Sequence, residues 1–444
     1  MNTPPWLNSL PPKWRALRLR HVASVSNSSV DKKSEDGGHP VRLCNYTDVY
    51  YNDFISNQMD LMTATATTSE IRRFGLQTGD VAITKDSETW NDIAIPACVR
   101  EELDNVVCGY HLTLLRPRPD RLQGRYLLRA LQAQGIREQF WVAANGVTRF
   151  GLGQLGIKDA LIPLPPISTQ LDIADFLDRK TAAIDALIDK KQKLLDLLAE
   201  KRAALINHAV TKGLNPDAPM KDSGIPWIGE IPAHWELTRL RSVTSFATSG
   251  SRGWADHYSG DNCDPVFLQS GNLGIDLQLD LSNIQRVRPP RGAEGRRTLV
   301  ATQDILVCIT GARTGTVAIV RSAPDPEAYI NQHVCLLRLT PDGVDSQFIA
   351  LALSSDVGQA HFKVAQYGGT KQGLGLEHVR SCYMALPPIA EQKMIGSEAW
   401  NELAQSRSAQ GLIERQIDSL HEYRQALITA AVTGQLDVTQ EAAA

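Results

Sequence analysis

Leu164-Pro165-Pro166-Ile167-Ser168-Thr169-Gln170 and Leu386-Pro387-Pro388-Ile389-Ala390-Glu391-Gln392 are one phrase written twice, 222 residues apart. The prolines stop whatever precedes them, and Ser168 or Thr169 can cap a helix that follows. From Leu171 to Thr211 the chain then has neither proline nor glycine. A helix of about 40 residues spans about 60 Å, so each phrase introduces a long helix. Leu177, Ile184, Lys191, Leu198 and Leu205 stand seven apart, with Lys180, Leu187, Leu194 and Lys201 interleaved and Ile188 and Leu195 widening the stripe. The second run, from Ala390 to Val432, carries Ile413, Ile417, Leu420 and Leu427, with Ser406 and Gln416 among the polar interruptions. An apolar stripe on a long helix needs a partner, and the other copy is the nearest candidate; the alternative is that each helix packs only on its own domain.

The doubling extends outward from that phrase. Pro5-Trp6-Leu7, Leu10-Pro11 and Trp14 recur as Pro226-Trp227-Ile228, Ile231-Pro232 and Trp235. His111 in HLTLLRP matches His333 in HVCLLRL, and Thr148, Gly151 and Leu152 match Thr370, Gly373 and Leu374. The helix ends match through Ala204-Leu205-Ile206 with Val210-Thr211 and Ala426-Leu427-Ile428 with Val432-Thr433. A period this long implies two large homologous units rather than a solenoid. Ahead of each helix, short apolar runs (41–44, 81–84, 111–115; 266–268, 305–309, 334–339) are predicted as strands, with short helices at 124–134 and 346–353. The class is α+β: mixed domains over 1–165 and 223–386, and helical regions over 166–222 and 387–444.

Composition narrows the function. The 444 residues are 43% hydrophobic and 21% charged, with 46 basic and 49 acidic side chains, a net charge of −3. That total argues against a strongly basic nucleic-acid surface, but its distribution matters more. Residues 1–160 carry +2, 161–222 zero, 223–385 −1 and 386–444 −4. The deficit sits in the last helical region, and near-neutral domains would lean on partners for phosphate neutralisation. No stretch is apolar for the ~18 residues of a membrane span, and the N-terminus lacks the order of a signal peptide. The seven cysteines form no Cys-x-x-Cys and read as buried, reduced thiols of a cytoplasmic protein.

Enzyme signatures are missing. GARTGT (311–316) lacks the lysine of a phosphate loop; GLGQLG (151–156) has a partner, GLGLEH (373–378), that lacks the last glycine, and both lie just before a Pro-rich linker. There is no His-Glu-x-x-His, Gly-x-Ser-x-Gly or Asn/Asp-Pro-Pro-aromatic string. His111 and His333 lie inside apolar runs and are expected as satisfied core histidines.

The Trp-containing starts PPKWRALRL and PAHWELTRL, the LPPI-x-x-Q phrases, the helix ends EKRAALINHAVTKGL and EYRQALITAAVTGQL, and the order variable–helix–variable–helix together resemble the DNA-specificity subunits of type I restriction-modification enzymes. The resemblance covers essentially the whole chain. It implies two target recognition domains, each reading one half of a split double-stranded DNA site. It also implies helices that pair antiparallel, hold the domains apart and dock two methyltransferase subunits. The subunit itself would bind no cofactor: S-adenosylmethionine, ATP and magnesium would belong to the methyltransferase and restriction/translocase partners. A related bipartite system with a fused nuclease-methyltransferase partner, or a helical adaptor with no DNA role, are the competing readings.

Base reading needs Arg, Lys, Asn or Gln, and phosphate contact adds hydroxyls. Four segments supply them. Lys85, Ser87, Thr89 and Asn91 follow the strand-like VAIT. Thr148 and Arg149 have the repeat counterparts Thr370, Lys371 and Gln372. Arg313 and Thr314 follow VCIT, and Arg286, Arg288 and Arg291 open the RVRPPRGAEGRR stretch that ends in Arg296 and Arg297. Helix pairing is assigned to Leu177, Ile184, Leu187, Leu194, Leu198, Leu205, Ile413, Ile417, Leu420 and Leu427.

Overall fold

The computed structural model describes residues 5–32, 37–274, 276–290, 292–325, 327–366 and 373–438. Arg291, Thr370, Lys371 and Gln372 lie outside the described residues. The chain divides into two units, Met1–Lys191 with Glu414–Ala444, and Gln192–Ile413.

In the first unit, Ala23–Asn27, Leu112–Pro117, Val81–Thr84 and Pro96–Val99 form an antiparallel sheet, to which Phe54–Ile55 adds a parallel edge. A second sheet orders Met62–Ala66, His39–Cys44 and Val106–Cys108. The run Val81–Thr84 shows no polar alternation because it is buried on both faces. Val81 and Ile83 pack under the helices Gly124–Gln132 and Gln134–Ala143, while Ala82 packs toward the second sheet. The second unit repeats this plan. Thr244–Ser249, Val334–Leu339, Ile305–Cys308 and Val317–Ile319 form the antiparallel sheet. Tyr258–Ser259, Gln285–Val287, Val266–Leu268 and Ala328–Ile330 form the other.

The doubled phrases acquire physical reasons. In each domain the first strand pairs antiparallel with the strand that leads into LPPI: Arg15–Arg18 with Leu161–Leu164, and Glu236–Arg239 with Tyr383–Leu386. The glutamine of the phrase is fully buried in both copies. Gln170 Nε2 donates to Arg121 O and Pro165 O, both at 2.9 Å, and its Oε1 accepts from Gln123 N at 2.9 Å. Gln392 donates to Gly343 O and Pro387 O and accepts from Asp345 N at 2.9 Å. Each amide therefore ties the first turn of a long helix to the loop that starts a domain helix.

The long helices run Ile167–Thr211 and Ile389–Val432. Within the first unit they pair antiparallel: Asp185 accepts from Arg424 at 2.9 Å and Lys191 donates to Gln416 at 2.6 Å. Ile184, Ile188, Leu420, Leu427 and Ile428 share one core. Within the second unit Ile206, Ala209 and Val210 share a core with Ile395, Trp400 and Leu403. Leu177 and Ile184 are buried, and Leu198, Ile417 and Leu420 are half-buried. The other seam line differs from the expected one. It passes through Thr181, Ile188, Leu195 and Arg202, whereas Leu187 and Leu194 are 42% and 45% exposed; on the first line Leu205 is also exposed, at 41%. Both lines hold two aliphatic residues between polar ends, so the repeat alone did not choose between adjacent faces.

Each helix ends on a left-handed glycine that seats a tryptophan. Gly213 (φ 74°) lies under Trp235, and Gly434 (φ 73°) lies against Pro11 and Trp14. A Cβ on Gly434 would stand 2.4 Å from Pro11 Cγ, so only glycine fits there. Among the described residues no helix is long and apolar enough to cross a membrane.

Candidate nucleic-acid interface

In the first domain the chain leaves the strand Val81–Thr84 and enters the loop predicted to touch DNA. Asp86 and Ser87 pair with Gly151 and Phe150, in a small sheet that also holds Ala144–Gly146. Two of the four predicted segments are thereby brought together. Arg149 Nη2 donates to Asp86 Oδ1 at 2.8 Å while its side chain stays 61% exposed. The other Asp86 oxygen meets His111 Nδ1 at 2.9 Å. Lys85 lies over the Tyr110 ring at 4.1 Å, and partial burial lowers its pKa against the opposing pull of Asp86. Ser87 is buried; Thr89, Asn91 and Thr148 are exposed. Beside them Trp90 is 51% exposed and meets Trp141 edge-on at 5.9 Å.

His111 is therefore not a core histidine. It directly precedes the strand Leu112–Pro117, its side chain is 33% exposed, and it holds the loop carboxylate. Asp86, Trp90 and Tyr110 were missed as site residues. The signal for Asp86 was its place straight after a strand that pairs beside His111, which spacing alone does not show.

The second domain puts different chemistry at the same place. Thr310 is the repeat equivalent of Asp86; it bridges Gly373, as Asp86 pairs with Gly151. Its hydroxyl hydrogen-bonds His333 Nδ1. Arg313 donates to Gly271 O at 2.8 Å and Leu273 O at 2.7 Å, so it pins the turn Ser270–Asn272. Thr314 donates to Gly311 O at 2.6 Å. Arg286 and Arg288 stand apart from this loop, on and after the strand Gln285–Val287 in the other sheet. Arg286 donates to Asp264 O at 2.7 Å and Arg288 to the Asp264 carboxylate at 2.8 Å. The hydrogen bond from Ser259, and then Arg288, lower the pKa of Asp264.

Among the described residues no three His, Cys, Asp or Glu side chains could hold a metal ion. Six of the seven cysteines are buried, and desolvation pushes the Cys98 and Cys335 thiols up to about 12.

Comparison with known proteins gives a consistent result. Residues 296–397 match the type I restriction modification DNA specificity domain. The type I restriction enzyme EcoBI specificity subunit of Escherichia coli is 24% identical over 324 residues, 71% of this chain and 66% of that subunit. A solved chain of a type I R-M system superposes with a TM-score of 0.65 at 17% identity, covering 96% of this chain and 99% of that one. The HsdS subunit of Thermoanaerobacter tengcongensis superposes with a TM-score of 0.51 at 17% identity, covering 96% and 98%. Doubled domains, doubled helices and these matches agree: the chain is similar in sequence and fold to the DNA-specificity subunits of type I restriction-modification systems.

Proposed function

We propose that this chain reads one half of a split, asymmetric double-stranded DNA site with each recognition domain, assigned to 1–165 and 223–386. The observation that carries the proposal is the unlike chemistry at one repeat-equivalent strand end. The first domain presents Asp86, His111 and Arg149 there, and the second presents Thr310 and His333. A shared scaffold with different side chains suits two different half-sites. Arg149 is an exposed fork oriented by a carboxylate, the form that reads guanine O6 and N7, and Asp86 can accept from cytosine N4. Thr89, Asn91 and Thr148 add hydroxyl and amide donors, and Lys85 adds a cation.

The helices dock methyltransferase subunits in this reading, as the helical regions 166–222 and 387–444. Leu187, Leu194, Leu197 and Leu205 leave apolar surface along the first helix. A groove of about 370 Å³ in the second unit is lined by Leu198, Leu205, Ile206, Leu214 and Leu403, among others. S-adenosylmethionine, ATP and magnesium then belong to the methyltransferase and restriction subunits, and the complex works in the cytoplasm.

The test uses the subunit assembled with its methyltransferase. Arg149→Ala should weaken binding to the specific duplex by about 1–3 kcal/mol and relax one position of one half-site. An unchanged motif at unchanged affinity rejects Arg149 as a reader.

A further inference from the structure

A second repeat-equivalent surface lies at the other end of the same strands. Glu70 to Thr84 aligns without a gap to Glu294 to Cys308, at an offset of 224. The alignment matches Arg72-Arg73 with Arg296-Arg297, Thr78 with Thr302, and Asp80 with Asp304. The structure keeps the same frame under both. The helices Thr68–Phe74 and Ala293–Thr298 are each followed by an antiparallel bridge, Gly75 to Val107 and Leu299 to Tyr329. Gly79 and Gln303 both take positive φ, 88° and 73°. Asp80 and Asp304 are then buried and grip Arg116 and Arg338 through both oxygens, at 2.8 and 2.8 Å and at 2.8 and 2.7 Å.

On that frame sit the two arginine pairs. Arg72, Arg73, Arg296 and Arg297 are exposed, and among the described residues none has a carboxylate partner. Arg73 lies over the Phe74 ring at 5.1 Å. Arg297 donates to Ser249 O at 2.8 Å and to Thr248 Oγ1, which leaves further guanidinium donors uncommitted. In the second domain Arg296, Arg297, Arg338 and Phe246 line an open cleft of about 450 Å³. Of these three guanidinium groups only that of Arg338 is neutralised, by Asp304. In the first domain Ser24 stands across from Arg116 where Phe246 stands across from Arg338.

Features that read different bases must differ between the domains, as the loops at 85–91 and 310–314 do. A feature kept in both serves a task both share. The arginine pairs precede the strands whose far ends carry those loops, and each of these four-residue strands spans about 13 Å at ~3.3 Å per residue. Exposed guanidinium groups without a carboxylate partner, set over an open cleft in the second domain, fit a phosphodiester, which every duplex offers whatever its sequence.

We infer that Arg72-Arg73 and Arg296-Arg297 are paired phosphate grips, one per recognition domain, that hold the DNA backbone without reading sequence. The inference rests on the chain being a DNA-recognition subunit. It assigns these arginines a role separate from Arg149 and its loop.

The experiment compares R72A/R73A and R296A/R297A with wild type, each assembled with its methyltransferase. Fluorescence anisotropy on a specific and a scrambled duplex is read between about 50 and 200 mM KCl. Each double variant should weaken both duplexes by the same factor, about tenfold, and flatten the slope of log K against log salt by about 2. The lysine double variant R296K/R297K should restore most of the slope, and the methylated motif should not change. An unchanged slope overturns the inference, as does a loss confined to the specific duplex. Loss of assembly with the methyltransferase before DNA is added, followed by light scattering, also overturns it, because the arginines would then face protein. If wild type itself binds both duplexes alike, the recognition reading fails, and the slope on the scrambled duplex still decides the arginines.

Discussion

Two buried amides show how single residues join the parts of this fold. Gln170 and Gln392 are themselves buried, and each satisfies two carbonyls and one N–H. Gln170→Leu keeps the volume but strands those groups, so we expect a loss of about 1–3 kcal/mol, read by thermal or urea denaturation. Unchanged stability would show that water or a shifted backbone replaces the amide. The LPPI-x-x-Q phrase made this glutamine visible as a repeat, although the pattern alone gave it no partner. Other residues left no sequence signal. Arg129 is fully buried and links Asp53 at 2.6 Å to Asp178 at 2.7 Å, while Arg424 reaches Asp53 at 3.0 Å. Its four members come from a loop edge, a domain helix and both long helices, so no local spacing could connect them. The equivalent of Arg129 is Leu351, so the second domain lacks this network. Arg129→Ala removes one cation from each carboxylate, leaving Asp53 to Arg424 and Asp178 to Arg125, and we expect about 1–3 kcal/mol of destabilisation, read by urea denaturation.

At the scale of elements, the strands and long helices were legible because their signals are local. Continuous apolar runs mark doubly covered strands, and a proline-free run after Pro-Pro marks a helix. The face a long helix presents was less legible. Lines through 187 and 194 and through 188 and 195 are neighbours on one helix, and only the packed partner selects the second. Ile428→Ala, in the buried seam, should cost about 2–5 kcal/mol. Leu187→Ala, on the exposed line, should change the stability of the isolated subunit by no more than about 0.5 kcal/mol. Equal effects in denaturation would contradict the observed register.

The short helix under Arg72-Arg73 offers a pH test. Thr67 and Glu70 form a capping box, and the backbone N–H of Thr67, then its hydroxyl, lower the Glu70 pKa. A carboxylate with a depressed folded pKa contributes stability above its unfolded pKa and loses it as pH falls through the folded one. Hydrogen exchange of this helix, taken relative to the intrinsic rate at each pH, should therefore quicken below about pH 4.5, the ordinary glutamate value. In Thr67→Ala it should be fast at neutral pH as well, since losing an N-cap costs about 1 kcal/mol. Exchange that ignores both changes would show the box carries no weight.

For the whole molecule, the sequence announced two related domains and two helices, and its net charge of −3 looked unfavourable for DNA. The structure locates positive charge in small, specific places instead: an oriented Arg149 at one strand end and bare arginine pairs at the other. In the proposed role such a surface would grip DNA weakly by itself, which suits work inside a larger assembly. The site was only partly legible, because its chemistry arises where separate loops meet at a sheet end. The central claim, that two unlike domains read two unlike half-sites, is tested most directly by selecting DNA from a random pool with the assembled methyltransferase complex. The account predicts a split motif with two different halves, in which the Arg149→Ala complex relaxes one half and leaves the other intact. A single contiguous motif, or no motif, would contradict it.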